Sequence, residues 1–230
     1  MTHRIAVLIS GNGSNLQALI DAISAGQLRA DITLVLSNRA DAGGLARARQ
    51  HGIATAVVDH RDYDSRAAFD QAMTEVLDQQ GAPDTVILAG FMRILTPAFV
   101  QHHAGRLINI HPSLLPRYPG LNTHQRALDA GDTEHGCSIH FVTDELDGGP
   151  LIAQARIPIL ANDNATDLSK RVQASEHLLY PQVAAWRAEG RLRLTNDGVE
   201  LDGQILPAQG YQWHRRDAAE QCPGADARQR

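Results

Sequence analysis

The sequence predicts an α/β fold, a mostly parallel sheet with helices on both faces and longer antiparallel strands toward the C-terminal half. Three observations predict it. Short apolar runs alternate with helical patterns through the first half of the chain. Those runs are nearly continuous Val, Ile and Leu, as expected of parallel strands buried on both faces. Beyond residue 136 the runs lengthen, and a turn-rich segment joins them instead of a helix. Together these describe a Rossmann-like arrangement.

The elements follow in order. Residues 5–9 form an apolar run of strand length, and Leu16, Leu19, Ile20 and Ile23 then recur at helical spacing up to Gly26. A second strand is predicted over 32–36, an Ala/Arg-rich helix from about Leu45, and a third strand over 54–58. Ser65 is a candidate N-cap for a helix carrying Phe69, Met73, Val76 and Leu77. Strands over 85–89 and 106–110 complete the alternating part, and longer ones are expected over 137–142 and 151–159. A long helix should follow Asp163, with Leu168, Val172, Leu179, Val183 and Trp186 on one stripe and Pro181 bending it. The segment 215–230 is polar and aperiodic, which predicts a flexible tail behind a single domain of about 1–214. No internal repeat or linker is visible.

Composition narrows the function classes. The 230 residues are 43% apolar, enough for an ordinary globular core. A net charge of -5 without a long basic run disfavours nucleic acid as the main partner, although a local pocket can still hold one phosphate. Cys137 and Cys222 lie far apart and form no C-x-x-C, which fits a reducing compartment. The apolar run at the N-terminus is too short for a signal-peptide core, and no stretch has the length of a membrane span. A cytoplasmic protein is expected.

Ser10-Gly11-Asn12-Gly13-Ser14-Asn15 lies between the first strand and the first helix. Ligands bind here in open parallel sheets, where backbone N–H groups and the positive end of a helix face the crevice. Gly11 and Gly13 permit close backbone approach, and Ser14 and Asn15 add side-chain donors, a combination suited to a phosphate dianion. A dinucleotide fingerprint fits poorly. Leu16 stands where its third glycine would be, and Asn38-Arg39 where an acidic ribose ligand is expected, so NAD is not expected. A tight capped turn remains the bland alternative.

Asn109-Ile110-His111-Pro112-Ser113-Leu114-Leu115-Pro116 closes a predicted strand. Alternation puts Asn109 and His111 on the same side of the sheet, and Pro112 ends the pairing. Asn109 can donate to a developing oxyanion, and His111 can donate or transfer a proton near neutral pH. Asp147, in Leu146-Asp147-Gly148-Gly149-Pro150, can hold His111 in its protonated form or accept a proton from an attacking amine. The same residue can equally just open a D-G turn. A nucleophile elbow is absent. The 11 histidines include no H-E-x-x-H; His102 and His103 should diverge on a helix, and scattered solvent-facing histidines explain the rest. No metal is expected.

The 109–116 segment together with Asp147 resembles the reacting motif of the 10-formyltetrahydrofolate-using transferases and hydrolases. Loop 11–15, Ala89-Gly90-Phe91-Met92-Arg93-Ile94-Leu95 and Tyr118-Pro119-Gly120-Leu121-Asn122-Thr123-His124 are similar to segments of the glycinamide ribonucleotide formyltransferases. The similarity runs from about residue 5 to 211. It implies transfer of a formyl group from 10-formyltetrahydrofolate, as co-substrate, to the amine of 5-phosphoribosyl-glycinamide in purine biosynthesis. Asn109, His111 and Asp147 would be catalytic. Gly13, Ser14 and Asn15, with Gln173 and Glu176, would bind the ribonucleotide; a solvated helix charge is the alternative for Glu176. Met92, Arg93, Ile94 and Leu95, with Asn109, Thr143, Asp144, Glu145, Leu146 and Asp147, would enclose the folate, unless 92–95 is only a strand-to-helix connection. Arg66 would contact the folate side, or is a plain surface arginine. The phosphate-binding half would be about 1–105 and the folate and catalytic half about 106–214. Methionyl-tRNA formyltransferases usually carry a further C-terminal domain, and formyltetrahydrofolate hydrolases an N-terminal regulatory one. Hydrolysis of the same folate and a non-catalytic ligand sensor are the competing readings. Monomer and homodimer remain open.

Overall fold

The computed structural model describes residues 2–213. The chain forms β1 (His3–Ile9), α1 (Ser14–Ser24), β2 (Ala30–Ser37), α2 (Gly43–Gln50) and β3 (Thr55–Val57). It continues through α3 (Arg66–Gln79), β4 (Thr85–Leu88), α4 (Pro97–His102), β5 (Leu107–His111) and α5 (Thr123–Asp129). The later part holds β6 (Glu134–Phe141), β7 (Leu151–Pro158) and α6 (Ala165–Ala188). Three short strands, β8 (Leu192–Thr195), β9 (Gly198–Leu201) and β10 (Gln204–Ile205), precede β11 (Tyr211–Trp213). The tail expected over 215–230 lies outside the described residues.

Eight strands form one sheet in the order β11-β7-β6-β5-β4-β1-β2-β3. From β3 to β5 every neighbour is parallel, whereas β6 and β7 run antiparallel. This is the predicted mixture. Alternation along β1 explains the two-sided core. Ile5, Val7 and Ile9 face α1 and α6 with Leu16, Leu19, Val172, Leu179 and Val183, while Ala6 and Leu8 face Phe69, Met73 and Leu77 of α3 and Phe99 of α4. Burial of both faces accounts for the unbroken apolar runs.

Helix boundaries have local causes. The Ser65 hydroxyl accepts from the Ala68 amide and caps α3 as expected. On α6 the cap is Asn164, whose Oδ1 accepts from the Asp167 amide at 2.9 Å, one residue beyond the expected start. That helix runs on across Pro181. Its Tyr180 hydroxyl contacts the carbonyls of Leu88 and Ile108 at 3.0 and 3.1 Å, tying α6 to β4 and β5.

Besides α5, three features were not foreseen. β6 begins at Glu134 because Glu134, His135 and Gly136 pair with Pro158, Ile157 and Arg156, although they make no apolar run. The β8–β10 sheet is too short and polar to announce itself. β11 joins the edge of the main sheet beside β7 with three residues only. Among the described residues, no helix is long and apolar enough to cross a membrane.

Candidate active site

The strand order reverses about β1, which has β2 on one side and β4 on the other. The carboxyl ends of β1 and β4 therefore open onto a crevice, where ligands bind in this class of sheet. Gly13, with φ 73°, stands at the N-cap of α1 and supplies no side-chain cap, leaving amides at that helix end available to an anion. The Ser10 hydroxyl accepts from the Met92 amide at 2.8 Å, fastening the glycine loop to the segment after β4.

Two contacts join α1 to α6. Gln173 Nε2 donates to Ser14 Oγ at 3.1 Å, and Asn15 Nδ2 donates to Glu176 Oε2 at 2.9 Å. Glu176 is buried, not solvated, and burial pushes its carboxyl up while the Asn15 bond pulls it down. Asn15 Oδ1 is buried with no hydrogen-bond partner among the described residues. Gly13, Ser14, Asn15, Gln173 and Glu176 thus line one cavity of about 820 Å³.

Asn109 and His111 stand two residues apart at the end of β5, paired across the sheet with His140 and Ser138. Asn109 Nδ2 lies 3.2 Å from His140 Nε2, and His140 Nδ1 lies 2.9 Å from the Phe141 carbonyl. The carbonyl can only accept, so Nδ1 carries the proton and Nε2 accepts from Asn109. Burial holds the His140 pKa down, consistent with that neutral ring. His111 Nε2 donates to the Tyr118 carbonyl at 2.9 Å, and its Nδ1 is 3.4 Å from Asp147 Oδ2. Both ring nitrogens of His111 thus face oxygen atoms.

Asp147 resolves a question the sequence left open. It does sit in a turn, with φ 52° and the Gly148 amide bonded to the Glu145 carbonyl. Its carboxylate is nevertheless turned inward, taking the Gly120 amide at 2.9 Å as well as facing His111. The turn is the device that aims the side chain.

A smaller recess of about 110 Å³ adjoins the main cavity. Arg93, Ile94, Leu95, Thr143, Asp144, Glu145 and Leu146 line it, together with Asn109, His140 and Asp147. Met92 lines the larger cavity and is 63% exposed at the mouth. Phe91, Arg93, Ile94, Asn109, Leu146 and Asp147 line both, so the two are compartments of one crevice with Asn109 and Asp147 at their boundary. Arg66 is exposed at the first turn of α3 and lines neither compartment.

The histidine expectation needs correction. Besides the site residue His111, His103, His135 and His140 are buried, not solvent-facing. Nor do His102 and His103 diverge: their rings lie 4.8 Å apart edge to face, and His103 packs 4.6 Å from Phe99. The helix ends at His102, which lets His103 turn back under Phe99. Among the described residues, no group of three or more His, Cys, Asp or Glu side chains is arranged to hold a metal ion. His140, the Tyr118 carbonyl and the Gly120 amide are contacts that sequence reasoning missed. Cross-strand register and a backbone group's direction leave no mark in residue type.

Comparisons with known proteins identify the family. Residues 3–184 match the family model described as formyl transferase. The chain is 58% identical over 207 residues to a phosphoribosylglycinamide formyltransferase of Escherichia coli strain K12, covering 90% of this chain and 97% of that protein. One from Haemophilus influenzae is 49% identical over 208 residues, covering 90% and 98%. A solved phosphoribosylglycinamide formyltransferase from Coxiella burnetii, in complex with CHES, superposes with a TM-score of 0.89 at 52% identity, over 93% of this chain and all of that one. Matched over most of its length in both sequence and structure, the chain belongs to the formyl transferase family, among the phosphoribosylglycinamide formyltransferases.

Proposed function

We propose that this chain transfers the formyl group of 10-formyltetrahydrofolate to the glycinamide amine of 5-phosphoribosyl-glycinamide, in purine biosynthesis. One observation carries the reading beyond family membership. Asn109 and Asp147 line both compartments, so the reacting groups stand where two different substrates would meet.

The residues fit both molecules. The glycine loop and the open end of α1 suit a phosphate, and the unpartnered Asn15 Oδ1 beside the Glu176 carboxyl suits hydroxyl donors of a ribose. The narrow recess has apolar Leu88, Phe91 and Leu95 with the backbone of 143–147, which suits a flat heterocycle rich in donors and acceptors. Arg66, outside both compartments at the α3 terminus, is left in reach only of a part of the folate that extends beyond the crevice.

10-Formyltetrahydrofolate supplies the formyl carbon. The acceptor amine forms a bond to that carbon, the bond from carbon to N10 breaks, and one proton passes from the amine to N10. Asn109 uses one amide hydrogen on His140 and keeps the other for the charge that develops on the formyl oxygen. His111 has committed Nε2 to the Tyr118 carbonyl, so Nδ1 is its reacting edge. The long Asp147 contact there leaves that proton free to shift toward the oxygen, because such contacts tighten only with substrate bound. Asp147 compensates the imidazolium and is the nearest carboxylate for the proton leaving the amine. Alignment of the two substrates contributes further, since effective molarities reach about 10⁵ M or more.

The decisive assay follows folate and formate together, with and without 5-phosphoribosyl-glycinamide. Conversion of the folate only when the acceptor is present, with no free formate, is expected. Rapid formate release without acceptor would make the chain a hydrolase, and tight binding of both molecules without turnover would make it a sensor. The expected compartment is the cytoplasm; fractionation of cells expressing the full chain tests it. Sedimentation of the full chain distinguishes monomer from homodimer.

A further inference from the structure

We propose that Arg47 is a positioning residue for the acceptor's phosphate: its guanidinium clamps the glycine loop in its binding shape and adds an uncompensated charge beside it. The inference rests on the phosphate-loop reading above. Arg47 lies on α2, outside both compartments, yet its side chain is spent on the loop. Nε donates to the Asn12 carbonyl at 2.8 Å and Nη2 to Asn12 Oδ1 at 3.0 Å, a two-pronged grip on one residue. Nη1 reaches Gln17 Oε1 at 3.3 Å, and the Gln17 amide closes onto the Gly13 carbonyl at 2.9 Å. One planar fork therefore spans the loop from its middle to the first turn of α1.

Asn12 stands between Gly11 and Gly13, the residues whose backbones have most freedom to lose. Fixing Asn12 removes that freedom before any ligand arrives, and preorganisation of this kind raises affinity without a new contact. The backing surface is built the same way. The Gly44 amide donates to the Gly11 carbonyl at 3.0 Å, and a Cβ on Gly13 would fall 2.7 Å from Gly44 Cα. Arg47 follows Gly44 at i+3, on the same face of α2. All three acceptors of Arg47 are neutral, and among the described residues it makes no ion pair. Its charge is thus left to favour a dianion.

The test compares Arg47→Ala and Arg47→Lys with wild type, using 5-phosphoribosyl-glycinamide, its dephosphorylated riboside, and inorganic phosphate as a direct probe. Arg47→Ala should raise KM for the phosphorylated acceptor about tenfold, the worth of one charge-assisted contact. It should leave kcat at saturation and KM for the folate within about twofold, and weaken phosphate binding in parallel. The preference for phosphorylated over dephosphorylated acceptor should shrink by the same factor. Lysine should restore only part of it, since a point charge cannot make the two-pronged bond. Full rescue by lysine would overturn the clamp, and an unchanged preference in Arg47→Ala would overturn the inference while leaving the phosphate loop intact. A wild-type enzyme indifferent to the phosphate would remove both. Thermal unfolding of each variant, with and without phosphate, separates lost binding from lost folding.

Discussion

At the scale of single residues, the site depends on groups whose partners dictate their chemistry. Asn109 is the clearest. Its amide is held in one orientation by His140, whose own proton is held by the Phe141 carbonyl, so a donor is preorganised toward the boundary of the two compartments. Asn109→Ala should lower kcat about 10²–10³-fold with a much smaller change in KM for either substrate, as measured by steady-state kinetics. Glu176 makes a different prediction. Burial raises its carboxyl pKa in the folded protein, so the folded state holds that proton more tightly than the unfolded one. The stability it contributes is present at low pH and is lost as pH rises through the raised value. Glu176→Gln keeps an acceptor for Asn15 Nδ2 and cannot ionise. Its thermal midpoint should therefore gain on wild type as pH rises above the ordinary carboxyl value of 4.5, and a constant difference would refute the assignment.

At the scale of elements, the β6–β7 hairpin and its turn decide where Asp147 points. The two strands are tightly engaged at both ends, and the register shifts between Ile139 and His140 where the site begins. Gly149 is the constrained position. A Cβ there would lie 1.8 Å from the Phe141 carbonyl oxygen, a backbone atom that cannot swing aside. Gly149→Ala should cost about 1–3 kcal/mol in urea unfolding through forced displacement of the strands. It should also depress kcat by moving the Asp147 turn. A variant of full stability but low activity would mean that the turn moves without the hairpin, and that the two are separable. Because Glu145, Gly148 and Asp147 share this turn, the D-G signature and the catalytic candidate are one feature seen at two scales.

At the scale of the whole molecule, burial of histidine sets the response to acid. His103 is fully buried, neither ring nitrogen has a hydrogen-bond partner among the described residues, and burial beside His102 and Arg106 holds its pKa down to about 4. Phe99, His102, Arg106 and Asp78 face it, and only Asp78 favours its charged form. The unfolded chain takes up this proton near pH 6.5, the folded chain near 4, so stability declines as pH falls through that window. His135, held down to about 4 as well, adds to the same decline. His103→Phe should retain the packing against Phe99 and remove one of these contributions. A scan of thermal midpoint from pH 7 to pH 4 should then be visibly flatter than wild type, with activity at pH 7.5 preserved. An unchanged acid limb would show that other groups govern it.

Local pattern by itself determined the parallel half of the sheet, the helices on both faces, the glycine loop after β1 and the pairing of Asn109 with His111. Each rests on periodicity or backbone stereochemistry, which act over a few residues and so are written in the order of the chain. Likeness to the formyltransferases then supplied Asp147, Gln173 and Glu176, for which spacing alone offered a turn and a helix face. Tertiary structure decided the rest. It turned the Asp147 carboxylate onto His111, buried three histidines expected at the surface, set His140 opposite Asn109, and brought Arg47 across to Asn12. All of these follow from strand order and register, which join residues far apart in sequence, and no run of neighbouring residues can encode which distant partner it will meet.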